Sequence, residues 1–334
     1  MHKDLPAHIS PFIATSFNPI DPEKFHADRE TRFTYLGKFW DVLQNCRAYY
    51  KNEDWRRFHQ QMEILNPKFT STGPAVNRDQ LFRYYRNFGK PFTPFSEPQR
   101  ELLEERLGRA ESTSAKLCYE LRRWLHEIGW YDLLESQFFA IKESWVAVFY
   151  MISPVYMPLY WDSSKNKLAE YQLAQKRFGD LKPFYIDVFE SLARISVISV
   201  GIEGILRNGE LKYPAKKGDK RLEDFKKMDN GSKWDVLRNM VIGDCFSELS
   251  SSRLRNGIGH NAAHYDVAKD SIEYRNESKN AASVTGEILY TQFCAKLLAL
   301  YQQWEVASIY IWWLCAFDVE NVRRAVEGAA DSAT

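Results

Sequence analysis

The segment Arg255-Asn256-Gly257-Ile258-Gly259-His260 puts a guanidinium, an amide and an imidazole into six residues. Those groups suit the cleavage of RNA without a metal. A base removes the 2′-hydroxyl proton, the oxygen attacks the adjacent phosphorus, and a cyclic phosphate forms. A histidine near its normal pKa serves as that base or as the matching acid. A guanidinium suits the equatorial phosphate oxygens, whose charge grows in the transition state. Asn256 would orient the phosphate or the histidine. Two protons must move, and a symmetric dimer would bring in the second histidine across a twofold axis. On a regular helix, residues five apart point roughly 140° away from each other. Gly257 and Gly259 are therefore expected to bend or break a helix so that Arg255 and His260 converge. A plainer reading stands beside this one: Arg-Asn-Gly is a good helix stop, and the histidine would then only cap carbonyls.

Other groups compete for attention. Arg253 is a second arginine at workable spacing from His260, and His264 follows it by four residues. Such a His pair can bind metal on one helix face. The glycines argue against a regular helix here, and no third ligand is fixed by spacing, so neither a metal nor a cofactor is expected. His264 reads instead as a neighbour of the cleft. Between Lys212 and Lys233, Lys216, Lys217, Lys220 and Arg221 belong to a basic run with interleaved acids. It reads either as a contact for RNA backbone or as an ordinary solvated loop. The aromatic stretches 149–161 and 301–313 suit base stacking, but core or dimer packing is their usual fate. No phosphate-cradling glycine loop, nucleophile elbow or paired-carboxylate motif occurs.

The elements that must position these groups are mostly helical. Pro6, Pro11, Pro19 and Pro22 make the first thirty residues an extended arm. Apolar spacing predicts helices over about 31–62, 97–128 and 131–151, the last ended by Pro154 and Pro158, with a short helix near 80–87. Residues 162–181 are more polar and mark the boundary between an N-terminal region, 1–165, and a second domain, 166–334. A long helix is expected over 183–208 with its stop at Asn208-Gly209, then a charged loop or broken helix, then a helix over 234–254 running into the Arg255 segment. Ser271–Arg275 alternates like a strand and would pair with 283–289 as a small hairpin. A final helix covers about 290–317, and the small polar residues beyond Gly328 fray.

The chain has 334 residues, a formal net charge of +1 and 15% aromatic residues. No overall basic field would steer a polyanion to it, so RNA binding needs a local patch. Five scattered cysteines without knuckle or redox spacing fit a reducing compartment. The start, MHKDLPAHISPF, lacks the apolar core of a secretion signal. The apolar stretches 145–161 and 306–317 are proline-broken or too short to span a membrane. A cytoplasmic protein is expected.

The string from Ser252 to Asp266, SRLRNGIGHNAAHYD, resembles the Arg-(polar)-x(4–6)-His signature of the HEPN superfamily. There a Gly-His-Asn is followed by Tyr-Asp and a short strand, here Ile272-Glu-Tyr274. The resemblance covers roughly 183–317 and leaves 1–165 unexplained. It implies an all-α, HEPN-like helical bundle with a small β-hairpin, dimeric, with the motif of each subunit lining a shared cleft. Carried over, Arg255 and His260 are catalytic and Asn256 supports them. It implies a metal-independent endoribonuclease of a toxin–antitoxin or phage-defence system, partnered by RNA, by a second copy and by an antitoxin or sensor protein. The alternative is a catalytically silent HEPN module that binds RNA, nucleotide or a partner protein. The N-terminal region would then serve recognition or regulation.

Overall fold

Helical periodicity accounts for most of the chain. The computed structural model describes residues 39–66, 69, 73–89, 97–161, 177–215, 218–260, 262–276 and 284–315. Through them run α1 (39–51), α2 (Trp55–Leu65), α3 (Pro74–Gly89), α4 (Glu97–Glu127), α5 (Trp130–Trp161) and α6 (Phe178–Asn208). Next come β1 (Lys212–Tyr213), β2 (Lys220–Arg221), α7 (Leu222–Lys226) and α8 (Asn230–Leu237). A 3-10 helix (Gly243–Ser251) leads into α9 (Ser252–Gly259), then β3 (Ala263–Asp266), β4 (Ser271–Asn276), β5 (Val284–Leu289), α10 (Tyr290–Ala307) and α11 (309–315). The fold is mainly α, with two small antiparallel sheets, β1-β2 and β3-β4-β5.

The centre of the bundle is α6. It is buried on nearly every face from Phe178 to Ile205, as a helix apolar all round must be. Helices α4, α5 and α10 pack around it, and β1, α9 and the 3-10 helix lie against it. Trp145 of α5 stacks on Tyr301 of α10 with ring centroids 3.6 Å apart. Trp304 of α10 donates its indole N–H to Ser191 of α6 at 2.9 Å. Two ion pairs are taken out of water. Arg106 of α4 donates to both carboxylate oxygens of Glu203 of α6, and Lys142 of α5 meets Glu305 of α10 with both side chains almost wholly buried. Each is tolerated inside because its partner neutralises it. Side chains on both sides of residue 165 thus bury in one continuous cluster.

Several expected boundaries move. The helix near 80–87 is longer, Pro74–Gly89. Helix α5 does not end at Met151 but continues to Trp161. One lost hydrogen bond at a proline can be outweighed by packing, and Val155 beyond the first proline is buried. The expected single helix over 234–254 is broken. Helix α8 stops at Leu237, and Gly243 packs so tightly on that end that a Cβ there would lie 2.8 Å from the Leu237 carbonyl oxygen. The charged loop after α6 contains the β1-β2 ribbon and α7. The small hairpin has a third strand, β3, paired with β4. Gly129 and Gly209, with φ of +66° and +65°, end α4 and α6, close to the expected end at 128 and at the expected Asn208-Gly209 stop. The N-terminal arm, the polar boundary segment 162–176 and the tail beyond 315 lie outside the described residues. Among the described residues no helix is long and apolar enough to cross a membrane.

Candidate functional site

Arg255 lies in a cleft of about 270 Å³ between three helices. Glu190 of α6 forms one wall, the start of α8 (Asp229, Asn230, Gly231) another, and Ser252, Arg255 and Asn256 of α9 the third. Asp229 builds the α8 end. Its carboxylate accepts from the Ser232 backbone N–H at 2.9 Å and from the Ser232 hydroxyl at 2.7 Å, an N-cap. Those Ser232 bonds hold the Asp229 carboxyl below the usual carboxylate range.

The Arg255 guanidinium is held from several sides. Nη2 makes an ion pair with Glu190 at 2.5 Å, and Nη1 donates to the Asn256 side-chain oxygen at 3.2 Å. Nε is buried without a hydrogen-bond partner among the described residues. Glu190 also accepts from the Asn230 amide at 3.1 Å, so α6, α8 and α9 meet at one carboxylate. Arg255 takes one lone pair of the Asn256 side-chain oxygen, which leaves that amide a second lone pair and its N–H donors for other partners. One turn into α8, Lys233 is 5% exposed. Burial lowers its pKa, and the nearby Glu190 carboxylate opposes that shift.

The glycines do not bend the helix. Helix α9 runs unbroken from Ser252 through Gly259, and His260 is its C-cap residue with φ −87° and ψ 14°. Gly257 allows a close crossing instead. A Cβ there would lie 2.8 Å from the Tyr274 Cβ of β4 and 3.3 Å from the Arg275 carbonyl oxygen. At Gly259 the arginine lies close by: an added Cβ would make an ordinary 3.4 Å contact with Arg255 Nη1. The guanidinium therefore reaches toward the His260 end of α9 by lying along the helix, and no kink is needed. Capping there is done by the His260 backbone N–H, which donates to the Asn256 carbonyl at 2.9 Å. The imidazole is exposed, and no hydrogen bond or ion pair to it forms among the described residues.

Neither His260 nor the remaining sequence candidates line the cleft. Arg253 is exposed on α9. His264 sits on β3 directly across from Glu273 and pairs with it at 3.5 Å, so it is not one helical turn from His260. Lys220 and Arg221 are exposed on β2. Their ribbon crosses α6 at Gly204, where a Cβ would lie 2.2 Å from the Lys212 carbonyl oxygen. At 1.5 Å rise per residue that is about 21 Å along α6 from Glu190. Lys216 and Lys217 lie outside the described residues. Among the described residues no group of three His, Cys, Asp or Glu side chains is disposed to hold a metal ion.

Glu190, Asp229 and Asn230 are site residues that sequence reasoning missed. Glu190 stands 65 positions before Arg255, within a helix singled out only for its apolar run. The available signal was Glu190 and Arg194, two charges one turn apart on a helix buried over most of its length. Compared with protein-family models, curated proteins and solved structures, the chain matches none.

Proposed function

We propose that this protein is a metal-independent endoribonuclease of HEPN type, working as a dimer and leaving 2′,3′-cyclic phosphate ends. The observation that carries the reading is the state of Arg255. Its guanidinium is pre-positioned at an open cleft by Glu190 and Asn256, and it extends toward an exposed His260. Preorganised donors of this kind stabilise charge developing on a phosphate without reorganisation during the reaction. In the proposed reaction one histidine takes the 2′-hydroxyl proton while the oxygen bonds to phosphorus. The bond to the 5′-oxygen breaks, and a second histidine supplies that oxygen with a proton. His260 of each chain would play one part, which makes the site composite. Arg255 would hold the phosphate and Asn256 would add amide donors. The resemblance of the motif further suggests a cytoplasmic toxin or phage-defence effector, restrained by an antitoxin or sensor protein.

The Glu190–Arg255 pair favours a second reading. A carboxylate already occupies part of the guanidinium that a phosphate would need. On that reading the chain is a silent module that binds RNA, nucleotide or a partner protein. Incubation with mixed RNA in EDTA separates the two. Cleavage that leaves cyclic phosphate and disappears in His260→Ala supports the enzyme. RNA binding without cleavage supports the module. If His260→Ala and Arg255→Ala alter stability alone, both readings fail.

A further inference from the structure

A second cavity lies among the N-terminal helices. It measures about 260 Å³ and opens between α1, α3 and α5. Its charges are sorted by wall. Arg47 and Lys51 of α1, one helical turn apart, and Arg78 of α3 supply the cationic side, while Asp132 and Glu135 of α5 supply the acidic side. Leu81 and Phe139 give an apolar base. Arg47 is the anchor. Its guanidinium lies 4.5 Å from the Phe139 ring centroid, and its side chain is 13% exposed. Glu143, which does not line the cavity, pairs with its Nη1. The Nε–H is buried with no hydrogen-bond partner among the described residues. Burial draws the guanidinium pKa down, which the Tyr85 and Glu135 side chains oppose. A buried charged donor without an acceptor is costly, and a carboxylate can accept from two guanidinium N–H groups at once.

We propose that this cavity binds a compact zwitterion, a free α-amino acid or a molecule of the same build. Its carboxylate would face Arg47, Lys51 and Arg78, its ammonium would face Asp132 and Glu135, and its carbon skeleton would rest on Leu81 and Phe139. The charge layout selects this class. Three cations line the cavity against two carboxylates, and Glu143 already answers Arg47 from outside, so the site has no surplus of positive charge for a polyanion. A nucleoside di- or triphosphate would press negative charge against Asp132 and Glu135. The volume also falls below the roughly 300–1,000 Å³ usual for larger ligands and cofactors. The proposal does not depend on the ribonuclease reading, because none of these residues lines the Arg255 cleft.

The test is thermal unfolding of the full chain with each of the twenty L-amino acids at about 10 mM, a concentration that saturates millimolar sites. AMP, ATP and the N-acetyl and amide forms of any active amino acid serve as controls. At least one amino acid should raise the melting temperature by about 2 °C or more. Its acetylated and amidated forms should not. Asp132→Asn and Lys51→Ala change exposed positions and should leave unliganded melting unchanged. Each should weaken binding about tenfold or more in calorimetric titration. The proposal is overturned if no amino acid shifts the transition or if the blocked forms act equally. It also fails if nucleotides alone stabilise the protein, or if Asp132→Asn binds as tightly as the wild type.

Discussion

Gly257→Ala and Gly259→Ala make the same chemical change two residues apart in one helix, with opposite expected outcomes. Alanine in place of glycine favours a helix interior by roughly 0.8–1 kcal/mol. At 257 that gain meets a wall. The new Cβ would lie 2.8 Å from Tyr274 Cβ and 3.1 Å from its Cδ2, where carbon atoms prefer about 3.5–4.0 Å. Tyr274 cannot swing toward β5, because it already lies over Gly286, where an added Cβ would sit 2.3 Å from the ring. Helix α9 must therefore lift off β4. Overpacking of this sort costs about 1–3 kcal/mol, which leaves Gly257→Ala destabilised by about 0–2 kcal/mol after the propensity gain. At 259 the new Cβ makes an ordinary 3.4 Å contact with Arg255 Nη1. The position is the last of the helix, so Gly259→Ala should be neutral or stabilised by up to about 1 kcal/mol. Urea unfolding followed by far-UV circular dichroism ranks the two variants. If Gly257→Ala is as stable as Gly259→Ala, the packing argument is wrong, and the glycines are held by something other than the approach of β4.

Three other consequences can be measured. Arg106→Met strands Glu203 in a site where both side chains are nearly nine-tenths buried. It should cost about 3–5 kcal/mol in urea unfolding, most of it recovered by Arg106→Met with Glu203→Leu. The Asp229 carboxyl has a lowered folded pKa, so its contribution to stability is present above the unfolded value of about 4 and lost as pH falls through the folded one. Asp229→Asn keeps a capping oxygen. It should therefore be less stable than the wild type at neutral pH by a margin that closes in acid, as urea unfolding across pH would record. Burial pushes the thiols of Cys46, Cys118 and Cys245 up to about 12. Alkylation at mildly alkaline pH should be more than about 100-fold slower in the native protein than after unfolding, and equal rates would contradict the packing at these sites.

What the sequence makes legible follows from how local each determinant is. Helix ends that depend on a single residue can be read directly: Gly129 and Gly209 take φ > 0 and stop their helices where they stand. Apolar period places α4, α6 and α10 because their buried faces are continuous. Features set by distant partners are not readable. The expected helix stops at Leu237, where the chain turns back and Gly243 packs on the Leu237 carbonyl, and β3 exists because Ala263–Asp266 finds β4 across a turn. Within the motif, residue types are visible and orientation is not. Composition shows two glycines beside a histidine, but only the crossing by Tyr274 gives Gly257 its purpose, while at Gly259 a Cβ would fit beside the Arg255 side chain. Glu190 holds Arg255 from a helix whose sequence advertises burial.

The two principal groups of the motif are anchored very differently, and this bears on where chemistry could occur. Arg255 is fixed by Glu190 and Asn256, and its helix is pressed onto β4 at Gly257. It is therefore referred to the rigid bundle through α6 and to the small sheet through α9. Among the described residues His260 is fixed only by its backbone amide, and its ring is exposed at the end of the helix. A general base works best when held within hydrogen-bond reach of one proton. An exposed ring on a free monomer does not meet that requirement, while the guanidinium is already held in place. On the ribonuclease reading, the missing constraint on His260 must come from outside the chain, from bound RNA or from the facing subunit. Activity should then rise more steeply than in proportion to protein concentration below the dimer dissociation constant, while Arg255 remains in place in the monomer. Specific activity that stays constant on dilution into the monomeric range would place both catalytic histidine roles within a single chain, which one His260 cannot fill.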